Sequence, residues 1–120
     1  MEKPILIAED EIQVLELMIE SLEYMGYTAF GAADGEEAYK LFLTQSFGLI
    51  LTNINLPKIN GVELIQRIRK KDSITPIIVF TGDSLHYSKE KVLNLGADEV
   101  LYKPFGVDDL EAVVQKFSHQ

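Results

Sequence analysis

Two adjacent carboxylates, Glu9 and Asp10, stand at the end of an apolar run, with Glu11 behind them. Farther along, Asn53, Thr81 and Lys103 each stand at or just past the end of another apolar run, and Asn55 follows Asn53 by two. Paired acids beside amide or carbonyl oxygens suit a hard divalent cation such as Mg²⁺, which often uses only one or two carboxylates. A hydroxyl and an ammonium next to such an ion can hold the equatorial oxygens of a phosphoryl group. The stretch LTNINLPKING, residues 51–61, poses a question. There an apolar run stops at an amide, in surroundings that would suit an acid.

Singly, these residues have ordinary readings: solvated loop acids, a strand-ending threonine, a surface lysine. Convergence is what would give them chemistry, and convergence depends on the elements that carry them. Residues 4–8 form an apolar run continuous enough to be covered on both faces. Between 11 and 25, Ile12, Leu15, Met18, Leu22 and Met25 fall on one helical stripe that Gly26 closes. Residues 27–32 read as a second strand. Asp34 with Glu37, and Asn60 with Glu63, are capping patterns that open helices. Residues 48–53 read as the third strand, and 77–80, opened by Pro76, as the fourth. A helix is expected from about 88 to 95, a short strand over 99–102, and a last helix carrying Leu110, Val113, Val114 and Phe117.

Five strands alternating with five helices imply a parallel sheet covered on both faces. Open sheets of this kind bind ligands beyond the carboxyl ends of their strands. Glu9, Asp10, Asn53, Asn55, Thr81 and Lys103 all fall there, so residues far apart in sequence are expected to meet on one edge.

Bulk properties narrow the function. The 120 residues suit one domain, 1–120, and there is no cysteine for a disulfide framework or thiolate chemistry. The apolar start is too short for a membrane span, so no membrane partner and a cytoplasmic location are expected. With 19 acidic residues against 11 basic ones, the net charge of −8 opposes direct nucleic-acid binding. The basic run Arg67 to Lys71 falls where a helix ends, which fits complementarity to its dipole.

In four stretches the chain resembles the receiver domains of two-component response regulators. They are ILIAEDE, NINLPKINGVEL with Pro57 and Gly61, PIIVFTG ending near Thr81, and GADEVLYKPF carrying Lys103. The resemblance implies a flavodoxin-like doubly wound (βα)5 fold, with a five-stranded parallel sheet in the order 2-1-3-4-5. It implies that Asp10 binds Mg²⁺ directly, Glu9 through water, and Asn55 through its backbone carbonyl. Thr81 and Lys103 would contact phosphoryl oxygens. The position that accepts the phosphoryl group in the family falls on Asn53, which also belongs to the metal site. A sensor histidine kinase or phosphotransfer protein would be the upstream partner. A downstream effector would bind the fourth helix, fifth strand and fifth helix.

An amide is a far poorer nucleophile than a carboxylate, so conventional aspartyl phosphorylation is expected to be blocked, naturally or by an engineered Asp-to-Asn change. Losing one anion should also weaken Mg²⁺ binding, and leaves Lys103 to find another partner, for which Asp10 is the candidate. The family's switch aromatic is replaced by Val100, with Tyr102 on the same face of the strand. Gly106 stands where a side-chain cap is common. The two histidines, His86 and His119, have no metal partners at ligand spacing. Tyr87, Tyr102 and Phe105 suit packing or a partner surface, and nothing in the pattern marks Ser84 or Ser88 for modification.

The chain is therefore expected not to be an enzyme. Two other classes stay open. A metal-dependent phosphatase would use Asp10 as nucleophile, but its usual second acid is Ile12 here. A flavodoxin-like cofactor carrier would need a phosphate loop after the first strand, where this chain has Glu9-Asp10-Glu11.

Overall fold

A computed structural model describes residues 3–118. Along the chain lie β1 (Ile5–Ala8), α1 (Ile12–Tyr24), β2 (Ala29–Ala32), α2 (Gly35–Thr44) and β3 (Leu49–Asn53). They are followed by α3 (Gly61–Lys71), β4 (Ile77–Thr81), α4 (Lys89–Asn94), β5 (Glu99–Tyr102) and α5 (Val107–Ser118). The five strands are parallel, in the order β2-β1-β3-β4-β5. The flavodoxin-like arrangement expected above is the observed one.

Strand alternation divides the core in two. Leu6, Ala8, Ile50, Ile77 and Val79 pack with Ala38 of α2, Leu64, Ile65 and Ile68 of α3, and Val92 of α4. Ile5, Ile7, Leu49, Leu51, Ile78 and Phe80 pack with Leu15, Met18 and Leu22 of α1 and Leu110, Val113 and Val114 of α5. Every residue of β1, β3 and β4 is buried, which is why these strands read as continuous apolar runs rather than alternating ones. Val100 and Tyr102 both join the first cluster while Leu101 joins the second, so 100 and 102 do share a face.

Local chemistry sets the ends of the helices. Asp34 accepts the Glu37 amide at 2.7 Å, and Glu37 returns a bond from the Ala33 amide at 2.8 Å. Asn60 accepts the Glu63 amide at 3.0 Å, but Glu63 turns away to pair with Arg67. Gly26 takes φ +98 and Gly96 φ +114, the left-handed conformation that lets a helix end without a Cβ clash. At Gly106 the cap is inverted: its amide donates to the Asp109 carboxylate at 2.9 Å.

Two readings of the chain shift. Ile12 is 52% exposed, because the first turn of α1 carries it out of the stripe that buries Leu15, Met18 and Leu22. Tyr27 and Thr28 precede β2 rather than belong to it, although Thr28 still accepts the Ile5 amide. His119 lies outside the described residues.

Candidate functional site

Register brings the edge together. Ala8 is level with Thr52, Asn53 with Phe80, and Thr81 with Tyr102. Glu9 is thus level with Asn53, Thr81 stands one step beyond Asn53, and Lys103 one step beyond Thr81, across β1, β3, β4 and β5.

Glu9 is at the centre. It is fully buried, and both of its oxygens are engaged. Oε1 accepts from Lys103 Nζ at 2.9 Å. Oε2 accepts the Glu11 amide at 3.0 Å and the Asn53 side-chain nitrogen at 3.4 Å. Burial alone would push this carboxyl up, but the Glu11 amide, the Lys103 ammonium and the hydrogen bond shared with Asp10 outweigh it and hold it below the usual range. Glu9 is thus kept ionised.

The expected pairing of Lys103 with Asp10 is not what forms. Lys103 goes to Glu9, because Glu9 turns into the cleft while Asp10 stays exposed at its mouth. Desolvation at that mouth, the bond with Glu9 and the charges of Glu9 and Glu11 hold the Asp10 carboxyl above its usual range. A divalent cation would relieve that repulsion. Asp10 is therefore the exposed acid of this group, and Asn53 and Asn55 supply further oxygens at the neighbouring strand end. The set fits Mg²⁺, which accepts few protein ligands and keeps waters.

Asn53 is buried, with 6% exposure. Its amide nitrogen faces Glu9 and its Oδ1 accepts the Asn55 amide at 3.4 Å. The Asn55 side chain is exposed. Thr81 is fully buried, and its Oγ1 accepts the Asp83 amide at 3.1 Å while its carbonyl accepts the Lys103 amide at 2.8 Å. Lys103 Nζ sits 5.5 Å from the centroid of the Phe80 ring, and the Lys103–Pro104 peptide is cis.

Several contributors escape a sequence reading. Gly61 lets α3 start against the strand end: a Cβ there would lie 2.3 Å from the Asn53 carbonyl oxygen. Gly35 is tighter still, with the Ile59 carbonyl oxygen 1.7 Å from where a Cβ would be. Each follows the capping residue of its helix, Asp34 or Asn60, a turn signal that does not say which backbone atom will lie against it. Arg69, within the basic run, does more than face a helix dipole. It donates to the carbonyls of Gly96, Asp72 and Thr75 at 2.8–3.0 Å and to Asp98 at 3.0 Å. His86 is exposed and bonds Asp83 at 2.9 Å. Among the described residues no three acidic, histidine or cysteine side chains form a metal cluster, and no helix is long and apolar enough to cross a membrane.

The model for the response regulator receiver domain matches residues 5–115. This chain belongs to that family. Among its receiver-containing relatives, the transcriptional regulatory protein CrdR of Helicobacter pylori is 37% identical over 118 residues, covering 98% of this chain and 55% of CrdR. The alkaline phosphatase synthesis transcriptional regulatory protein PhoP of Bacillus subtilis is 36% identical, covering 96% of this chain and 48% of PhoP. The chain thus spans about half the length of these relatives. Among solved structures, the response regulator TrrA of Thermotoga maritima, in complex with Mg²⁺ and BeF, superposes with a TM-score of 0.86 at 36% identity, covering 96% of this receiver and 98% of TrrA. The receiver domain of the sensor histidine kinase PA1611 of Pseudomonas aeruginosa holds a magnesium ion in its active-site cleft. It superposes with a TM-score of 0.90 at 28% identity, covering 98% of both chains.

Proposed function

We propose that this receiver signals through protein contacts without a phosphoryl group on residue 53. The observation that carries the reading is the Asn53 amide nitrogen directed at Glu9 Oε2, 3.4 Å away, on the far side of the carboxylate from Lys103. An acid at 53 would set two anions against each other there. The amide instead donates, and together with Lys103 and the Glu11 amide it satisfies the buried carboxylate. It has no anionic oxygen with which to attack phosphorus.

In this reading Asp10 binds Mg²⁺ directly, Glu9 through water, and Asn53 and the Asn55 carbonyl complete the protein's share. Binding is weaker than three carboxylates would give. Thr81 and Lys103 would contact phosphoryl oxygens in this account, and only the nucleophile at residue 53 is missing. The upstream partner is a sensor histidine kinase or phosphotransfer protein, and a downstream effector binds α4, β5 and α5. The relatives named above are transcriptional regulators, yet the net charge of −8 argues against this segment itself touching DNA. The domain is not an enzyme in this account.

Incubation with labelled acetyl phosphate and Mg²⁺ tests the proposal. The unmodified chain should take no label, and Asn53→Asp should take a hydroxylamine-sensitive one, the mark of an acyl phosphate. Label on the unmodified chain at Asp10 would refute the reading and favour the phosphatase alternative. An unlabelled variant would show that more than the nucleophile has been lost.

A further inference from the structure

Four polar or charged residues are buried among the described residues: Glu9, Thr52, Asn53 and Thr81. Glu9, Asn53 and Thr81 belong to the cleft already described, and Thr52 is the fourth. It precedes Asn53 on β3, level with Ala8 of β1 and Val79 of β4. Ala8, Ile50 and Val79 all belong to the first apolar cluster, and alternation puts the Thr52 side chain on the face of Ile50. A hydroxyl taken out of water there costs free energy unless it is bonded, and valine would fill the same shape without that cost. The Thr52 hydroxyl donates to the backbone carbonyl of Asn53 at 2.9 Å. Branching at Cβ restricts its rotation, so the donor stays aimed.

That carbonyl stands where the strand ends and the turn begins. The start of α3 closes on the same oxygen, which a Cβ on Gly61 would strike. Ile54 follows, buried, and its carbonyl accepts the Gly61 amide at 2.8 Å and the Leu56 amide at 3.1 Å. The Asn55 amide reaches Asn53 Oδ1 at 3.4 Å. Asn55 thus sits in the middle of a tight turn whose entry is the peptide joining 53 and 54. Rotating that peptide would swing the Asn53 side chain away from Glu9 and redirect the Asn55 carbonyl.

We propose that Thr52 is a positioning residue for this site. Its hydroxyl clamps the Asn53 carbonyl, and through it sets the direction of the side chain at 53 and of the Asn55 carbonyl. The inference rests on the functional reading above only for the part that Asn55 plays toward Mg²⁺. The clamp itself is tested without an ion, so its failure is distinct from failure of that reading.

NMR on the whole chain compares Thr52→Val, which keeps the shape and loses the donor, with Thr52→Ser, which keeps the donor. In Thr52→Val the Gly61 amide should exchange faster, relative to the β1 amides, by about two- to tenfold, the size of one lost hydrogen bond. The side-chain NH₂ signals of Asn53 should move as well. Thr52→Ser should hold both near the parent's values. Mg²⁺ affinity should fall about three- to tenfold in Thr52→Val and recover in Thr52→Ser, as for groups that orient metal ligands. Gly61 exchange and Asn53 signals unchanged in Thr52→Val would overturn the proposal. So would a serine variant as disturbed as the valine one, since the methyl group rather than the hydroxyl would then be what matters. Should Thr52→Val fail to fold, the Thr52 hydroxyl proton of the unmodified chain decides: a signal in slow exchange with water supports the clamp, and exchange as fast as a surface hydroxyl's refutes it.

Discussion

Lys103 Nζ lies 2.9 Å from Glu9 Oε1, joining residues 94 apart in sequence across the carboxyl edge of the sheet. The carboxylate is fully buried and the lysine side chain is 27% exposed. Removing the cation strands an ionised group in the cleft. Lys103→Met should therefore destabilise the fold by about 1–3 kcal/mol, with solvent at the lysine keeping the loss below that of a wholly buried pair. Glu9→Gln should cost less, since it removes the charge along with its partner's role. Urea denaturation of both variants checks the order. A Lys103→Met chain as stable as the parent would mean the pair is not made.

Asn53→Asp should respond to metal in a way the parent does not. Without a divalent ion, a second carboxylate about where the amide nitrogen now faces Glu9 repels it, and stability should fall by about 1–2 kcal/mol. Saturating Mg²⁺ should restore most of that loss, because an ion that binds only the folded state stabilises it by mass action. Titration should also show tighter Mg²⁺ binding than in the parent, and Asp10→Asn should abolish it. Equal affinities with Asn and Asp at 53 would place that side chain away from the ion.

Acid should weaken the fold partly through Glu99 and Asp72. Burial pushes Glu99 up, but Lys89, the Val100 amide and Lys116 outweigh it and hold it low. Burial likewise opposes, and the Thr75 hydroxyl and the amides of Thr75 and Ile74 overcome, the same balance at Asp72. Both folded values lie below the unfolded ones of about 4. Their stabilisation is thus full above that pH and is lost as pH falls through the folded values. Glu99→Gln should lower stability at pH 7 by less than about 1 kcal/mol and flatten the acid limb of the stability curve. A parallel, merely lowered curve would contradict this.

Gly35→Ala should be among the most damaging single substitutions. Its Cβ would fall 1.7 Å from a backbone oxygen of Ile59, which cannot swing aside as a side-chain end could. Gly61→Ala meets the Asn53 carbonyl at 2.3 Å and should disturb the site as well as the fold. Losses above about 2 kcal/mol are expected for each. Thermal melts would show it, and a melting temperature within two or three degrees of the parent's would rule out the close approach.

Arg69→Lys should cost about 1–3 kcal/mol although the charge is kept. A guanidinium reaches four acceptors from α3, the β4 approach and the α4–β5 turn at once, and an ammonium cannot span them. If Lys served as well as Arg, charge alone would be its contribution.

Much of this molecule is determined locally and so was legible in one dimension. Buried strands need continuous apolar runs, which is why Ile5–Ala8, Leu49–Asn53 and Ile77–Thr81 could be read from composition. Caps act over three residues, so Asp34 and Asn60 announced α2 and α3. Alternation of strands and helices implied a parallel sheet, and a parallel sheet implied that Glu9, Asn53, Thr81 and Lys103 share an edge. What one dimension cannot carry is the direction of a side chain in a loop. Glu9 and Asp10 are neighbours of the same charge, and only the turn from β1 into α1 decides that the first enters the cleft and takes Lys103 while the second faces water. The same holds for Tyr102 meeting the Tyr87 carbonyl, for Arg69 gathering three carbonyls, and for Gly35 beneath Ile59. Those contacts join backbone atoms, which every residue possesses alike. A sequence records side chains, so where a backbone carbonyl will stand is settled only when the chain has folded.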